Sequence, residues 1–256
     1  MMPIMVTRTD FNRYMMPTYN PASFIPSKAK GSLVWDKKNK KYIDFASGIA
    51  VSSLGHCHPE LNKALVDQSK KMWHLSNVLM NEPAIRLAKI FCKNTFAEKV
   101  FFANSGAEAV EGAIKTARKY AYENISKKKN GIVSFSDAFH GRTMMAIALN
   151  GSERFVKGFG PMPGGIKNHP FNETKNLEKA ITKNTAAVII ELVQGEAGII
   201  KAKKDFIQKI KKLCKENKVL IIVDEVQSGA GRTGTLFAYE QFGIKPDIMC
   251  CAKGIG

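Results

Sequence analysis

Apolar and polar positions change period several times along the chain, and those changes divide it into elements. Residues 1 to about 27 hold no sustained period and are interrupted by Pro3, Pro17, Pro21 and Pro26, which predicts an arm rather than a core element. Leu33–Asp36 and Tyr42–Phe45, on either side of a Lys/Asn turn, predict a small hairpin. A loop through Gly55–Pro59 then leads into a helix with Leu61, Ala64, Leu65 and Met72 on its apolar face. A second helix starts near Glu82-Pro83 and buries Ile85, Ala88 and Phe91.

Beyond this the alternation is regular. Val100–Ala103 predicts a strand that turns at Ser105 into a long helix with Val110, Ala113, Ile114, Ala117 and Tyr120 inward. A strand at 132–135, a loop at 137–143 and a Gly/Pro-rich passage at 158–165 follow. Next come a helix at 177–181, a strand at 187–192, a helix at 205–216 and the unbroken apolar run Val219–Val223 ending in Asp224. A short helical stretch at 236–242 and a last apolar run, Ile248–Ala252, deliver Lys253. Strands and helices in alternation predict an α/β fold: a mostly parallel sheet with flanking helices. The arm and hairpin fill 1–46, and the large domain runs over 47–256.

Composition narrows the partners. With 256 residues, 45% of them hydrophobic, the chain can bury a full core. A net charge of +17 raises nucleic acid or an anionic membrane as partners. Only 7 of the 39 basic residues are Arg, however, and the lysines, Lys127-Lys128-Lys129 among them, are scattered over helix faces and turns. They read as a solvated surface, so neither partner is expected. The five cysteines show no C-x-x-C spacing, which argues against disulfides and zinc and for a reducing cytoplasm. His56 and His58 have no third ligand near them in sequence, so no metal is expected. Residues 1–5 do not open a secretory signal, and no apolar run reaches membrane-spanning length.

The candidate chemistry lies at strand ends. Asp224 and Lys253 emerge where open α/β sheets keep their ligands. A salt bridge between them and a shared ligand are both open on this pattern. The ligand reading is specific: an amine poised for a Schiff base, and a carboxylate that keeps a pyridine nitrogen protonated, are the protein's half of pyridoxal phosphate chemistry. Ser105-Gly106-Ala107 marks a helix start, suited to a phosphate or to nothing more than a cap. Phe139 in its loop can stack on a flat cofactor. Gly229–Gly234 matches G-x-G-x-x-G, but it follows its strand too late for a dinucleotide turn.

Asn104–Ala109, Phe139–Thr143, Gln194–Gly198, Asp224–Gly229 and Ala252-Lys253-Gly254 occur in the order and spacing of class III pyridoxal-phosphate aminotransferases, and the likeness extends to Tyr19-Asn20-Pro21. The chain resembles that family, and most of all its acetylornithine/succinyldiaminopimelate branch. The resemblance implies a fold-type I transferase that transfers an amino group between N-acetylornithine, with N-succinyl-diaminopimelate as a second donor, and 2-oxoglutarate, in arginine and lysine biosynthesis. Ornithine and 4-aminobutyrate are the alternative donors. It implies a cytoplasmic homodimer when full length. It also implies that Ser105, Gly106 and Ala107 hold the cofactor phosphate, and that Phe139 and Val226 flank its ring. Asp224 would pair with the ring nitrogen, Gln227 with the ring oxygen, and Lys253 would form the Schiff base. Arg142 would grip the substrate carboxylate, with Glu196 and Tyr19 also at the substrate. Two departures stand out: Leu192 where relatives commonly have Pro, and an end at Gly256 where the family continues. The second leads to the expectation of a missing C-terminal part and, as a rival reading, of an inactive remnant that only binds cofactor or self-associates.

Overall fold

The computed structural model describes residues 6–255. Residues 1–5, on which the absence of a secretory signal was read, and Gly256 lie outside the described residues. The chain separates into two compact units, 1–78 and 79–256, so the loop and helix after residue 46 group with the hairpin.

In the first unit, α1 (Arg8–Tyr14) opens at Thr7, which exchanges reciprocal hydrogen bonds with Asp10. It lies within the expected arm and is too short to show a period. β1 (Pro26–Lys30), β2 (Leu33–Asp36) and β3 (Lys41–Ile43) form an antiparallel sheet, of which β2 and β3 are the expected hairpin. Asp36 closes its turn, accepting the Lys38 and Lys40 amides and the Tyr42 hydroxyl. A tight coil, α2 (Ser47–Ala50), holds Gly48 and Ile49 at positive φ. His56 Nε2 lies 2.7 Å from Asp44 Oδ2, which gives that histidine a carboxylate partner. Helix α3 (Pro59–Ser69) forms where expected, yet Leu61 and Leu65 are exposed. The apolar face is present, and no surface of its own unit covers it.

In the second unit, α4 (Glu82–Asn94) is capped by Asn81 and buries Phe91, while Ile85 stays exposed. The strand expected at 100–103 is absent. An apolar run becomes a strand only beside a backbone that satisfies its N–H and C=O groups, and among the described residues 100–103 have no such neighbour. Helix α5 (Gly106–Asn124) buries Val110, Ala113, Ile114, Ala117 and Ala121. Ala121, four residues after Ala117, takes the inward place expected for Tyr120, which is exposed.

β4 (Gly131–Phe135), α6 (Met144–Leu149), α7 (Glu153–Val156), β5 (Ile166–His169), α8 (Leu177–Ala180) and β6 (Thr185–Ile190) follow. A two-stranded ribbon, β7 (Val193–Gln194) with β8 (Ile200–Lys201), precedes α9 (Lys204–Asn217) and β9 (Leu220–Asp224). A 3-10 turn (Ala238–Phe242) leads to β10 (Ile248–Cys250). The five-stranded sheet has the order β10-β9-β6-β4-β5 with every neighbouring pair parallel. All six residues of β6 are buried. Its Val188 and Ile190 join Phe206, Ile207 and Ile210 of α9, and its Ala187 and Ile189 join Val110 and Ile114 of α5. Both faces of the sheet are therefore covered, as continuous apolar runs require.

Lys129 corrects the reading of the lysines as surface groups. It is 1% exposed, and its Nζ donates to Lys183 O at 3.1 Å and Asn217 O at 2.8 Å. These carbonyls lie just before β6 and at the end of α9, so one ammonium ties together the amino ends of β4, β6 and β9. It also sits at the negative end of the α9 dipole, although burial lowers its pKa. Lys129→Met keeps the apolar stem and leaves both carbonyls without a donor. It should cost about 2–4 kcal/mol in urea unfolding, whereas the exposed neighbour Lys128→Met should fall within about 0.5 kcal/mol of wild type.

Candidate active site

The sheet order places a topological switch at its centre. From β4 the chain crosses to β5 on one side, then returns to β6 on the other, so a crevice opens between β4 and β6 at their carboxyl ends. Four chemically distinctive segments issue there: the loop 136–143 after β4, Glu191 after β6, Asp224 at the end of β9 and Lys253 after β10.

Asp224 is 4% exposed. Its Oδ2 lies 2.7 Å from His140 Nδ1, and its Oδ1 accepts the Val226 N–H at 2.9 Å. The His140 side chain is fully buried. Burial disfavours the imidazolium, but the hydrogen bond and charge of Asp224, with Glu191 behind them, outweigh it and hold the His140 pKa above its ordinary value. Among the described residues His140 Nε2 has no hydrogen-bond partner. The partner of Asp224 is thus His140, and among the described residues Lys253 forms no salt bridge with it.

Lys253 stands three residues after Cys250, which pairs with Asp224 across the β10–β9 ladder. It is half-buried and at φ +53, the left-handed region a lysine enters only when its surroundings hold it there. Burial lowers its pKa, against the opposing pull of Glu196, Asp224 and Glu191. A larger share of the free amine at neutral pH is what a nucleophile or base needs.

The start of α5 meets these ends. Ser105 Oγ accepts the Glu108 N–H at 3.2 Å, so the cap reading holds, while the N–H groups of Gly106 and Ala107 have no acceptor in the first turn. A Cβ on Gly106 would stand 2.8 Å from Val226 Cγ1 and 3.4 Å from Ala252 Cβ. Gly141, at φ +122, brings the loop after β4 so close that a Cβ there would stand 2.8 Å from Ala107 Cβ. Two free amides, at the positive end of a helix dipole, are therefore packed against the turns after β9 and β10.

The other expected residues take these places. Phe139 is half-buried, with the Phe155 ring edge-on at 6.0 Å and the Arg142 guanidinium 5.7 Å over its face. Gln227 lies over Gly195 so closely that its Oε1 is 1.4 Å from where a Cβ on residue 195 would be. Glu196 is exposed and helps line a cleft of about 380 Å³ with Asp137, Arg154, Phe155 and Gln194. The cleft walls include neither Asp224 nor Lys253. Tyr19 is exposed on the first unit. The Gly229–Gly234 triplet lies in a run of turns that opens no helix before Ala238.

Three residues escaped the sequence reading. His140 stood beside Phe139 without a task, and Glu191 was passed over for its neighbour Leu192. Asn150 is fully buried; its Oδ1 accepts the His140 N–H at 2.8 Å and its Nδ2 donates to Gly141 O at 3.3 Å. The acid of Glu191 at the end of an apolar strand was a usable signal, because a charge there needs a partner. Asn150 gave none.

Together the residues fit a planar, phosphorylated cofactor. Two free amides can take an anion, Phe139 and Val226 offer a ring and a branched side chain, and Asp224 has acceptor capacity beyond its two hydrogen bonds. Among the described residues no helix is long and apolar enough to cross a membrane.

The chain is similar to known proteins along nearly its whole length. It is 52% identical over 252 residues to the acetylornithine/succinyldiaminopimelate aminotransferase of Buchnera aphidicola subsp. Acyrthosiphon pisum, covering 98% of this chain and 62% of that protein. To the succinylornithine transaminase of Salmonella typhimurium it is 49% identical over 255 residues, again 62% of the relative. The ornithine aminotransferase of Toxoplasma gondii superposes with a TM-score of 0.91 at 31% identity, over 96% of this chain and 59% of that one. The N-acetylornithine aminotransferase of Stenotrophomonas maltophilia does so with 0.80 at 38%, over 96% and 60%. The chain thus spans about three-fifths of the length of these relatives. The aminotransferase class-III family model matches residues 14–256, and the chain belongs to that family.

Proposed function

We propose that the protein is a pyridoxal-phosphate-dependent aminotransferase that moves an amino group between an N-acylated ornithine, N-acetylornithine first, and 2-oxoglutarate. The observation that carries this reading is the convergence of Asp224, Lys253 and the free amides of α5 on one crevice. The identity to acylornithine relatives supports the donor class. When bound, pyridoxal phosphate supplies an electron sink for the bond broken at the amine-bearing carbon. Asp224 would hold a proton at the ring nitrogen, with His140 hydrogen-bonded to its Oδ2. Gly106 and Ala107, with Ser105 shaping their turn, bind the phosphate. Val226 and Phe139 fix the plane of the ring, and Gln227 reaches its oxygen. Lys253 Nζ would be the amine that anchors the cofactor and the base that moves a proton to and from the substrate carbon. Arg142, a planar fork, grips the substrate carboxylate, and Glu196, on the neighbouring cleft wall, meets the substrate as well. Exposed Phe45 and Trp73 support a homodimer, in which such surface would be covered.

Lys253→Ala should abolish the visible absorption of the chain with pyridoxal phosphate, and borohydride reduction of wild type should fix the label on residue 253. Labelling spread over surface lysines contradicts the assignment. Gly106→Ala should weaken cofactor binding about tenfold and cost about 1–3 kcal/mol by overpacking against Val226. Val226→Ala in the same chain should restore part of the stability. In a catalytically competent preparation, Arg142→Lys should raise KM for amino donor and 2-oxoglutarate about tenfold with cofactor affinity unchanged. Rates on N-acetylornithine, N-succinylornithine, ornithine and 4-aminobutyrate, measured side by side, decide the donor.

A further inference from the structure

Glu191 is a buried acid of the site to which the proposed chemistry gives no task. It stands at the carboxyl end of β6 and reaches across the switch point, where its Oε2 accepts the Phe139 N–H at 2.8 Å. The next residue, His140, holds Asp224. Charged groups act on Glu191 from three elements: His140 after β4, Asp224 at the end of β9 and Lys253 after β10. Burial disfavours its carboxylate most, His140 opposes that, Asp224 adds repulsion, and the Phe139 amide and Lys253 favour the charge; the balance leaves its pKa pushed up to about 7. His140 is in turn supported as an imidazolium by Glu191.

We propose that Glu191 is a positioning residue that seats the Phe139–His140 backbone through its carboxyl oxygen and, by taking up or releasing one proton, sets the charge that faces the His140–Asp224 pair. As pH rises through neutrality, one proton leaves the Glu191 carboxyl for solvent. That adds one negative charge to the trio of Glu191, His140 and Asp224, and the new carboxylate strengthens the hold of His140 on its own proton. Glu191 and His140 therefore titrate together rather than as two independent residues. The functional reading enters only through the consequence that the trio, not Asp224 alone, sets the charge beneath the bound ring. The trio itself belongs to the cofactor-free chain.

Glu191→Gln keeps an oxygen for the Phe139 amide and removes the titration, so it separates this role from that of a plain hydrogen-bond acceptor. Nitrogen-15 imidazole spectra of the cofactor-free chain, recorded between about pH 5 and pH 9, should show the His140 midpoint falling by about 1 unit in E191Q. The linkage sign gives a second readout. An acid whose folded pKa is raised contributes stability below its unfolded pKa and loses it as pH rises through the folded one. Wild type should therefore lose urea stability relative to E191Q between about pH 5 and pH 8. Identical His140 titrations in the two proteins overturn the proposal. Should E191Q not fold, infrared spectra of the chain carrying Glu225→Gln, which removes another buried acid, decide the matter. Loss of a protonated-carboxyl band as pH rises through neutrality supports the trio, and its absence at every pH overturns it. A trio that titrates in a chain unable to bind pyridoxal phosphate sinks the functional reading and leaves this one standing.

Discussion

A carboxylate sealed at the end of a buried strand is unfavourable unless a compensating charge is sealed with it, and the candidate site is arranged around that constraint. Asp224 closes β9 inside a sheet covered on both faces, and His140 supplies the compensation from the loop after β4. Once His140 must face Asp224, the loop carrying it cannot wander. Asn150 fixes the His140 amide and the Gly141 carbonyl, Glu191 fixes the Phe139 amide, and the Thr143 hydroxyl donates to Glu111 of α5. The aromatic ring of Phe139 is thus placed by hydrogen bonds to its own and its neighbour's backbone.

The two ends of the sheet meet opposite demands. At the amino ends of β4, β6 and β9, the buried ammonium of Lys129 satisfies carbonyls. At the carboxyl ends, acids and one histidine face one another, and the first amides of α5 have no acceptor within their own helix. One end contributes cohesion, and the other gathers the polar groups of the candidate site.

How legible this was depended on the range of the physics. The parallel sheet could be read because β6 and β9 are buried on both faces, and continuous burial leaves a continuous apolar run. The end of the β9 run pointed to Asp224, and the end of the shorter run at β10 to Lys253. β5 could not be read: Ile-Lys-Asn-His is an edge strand whose partner, not its side chains, makes it a strand. The converse held for 100–103, an apolar run with no ladder. Asn150 and Lys129 were illegible for a further reason. Their roles are defined by carbonyls and amides between 9 and 88 residues away, and nothing local distinguishes a buried lysine from a solvated one.

The close approach of Gln227 to Gly195 carries its own consequence. One amide oxygen already occupies the volume that any side chain at 195 would need, so the two positions form a single compound choice. A larger residue at 195 is compatible with this backbone only if 227 is shortened or turned away. A variant library that diversifies either position alone will sample mostly collisions, whereas one that varies them jointly can reshape this contact while the rest of the backbone stays as it is.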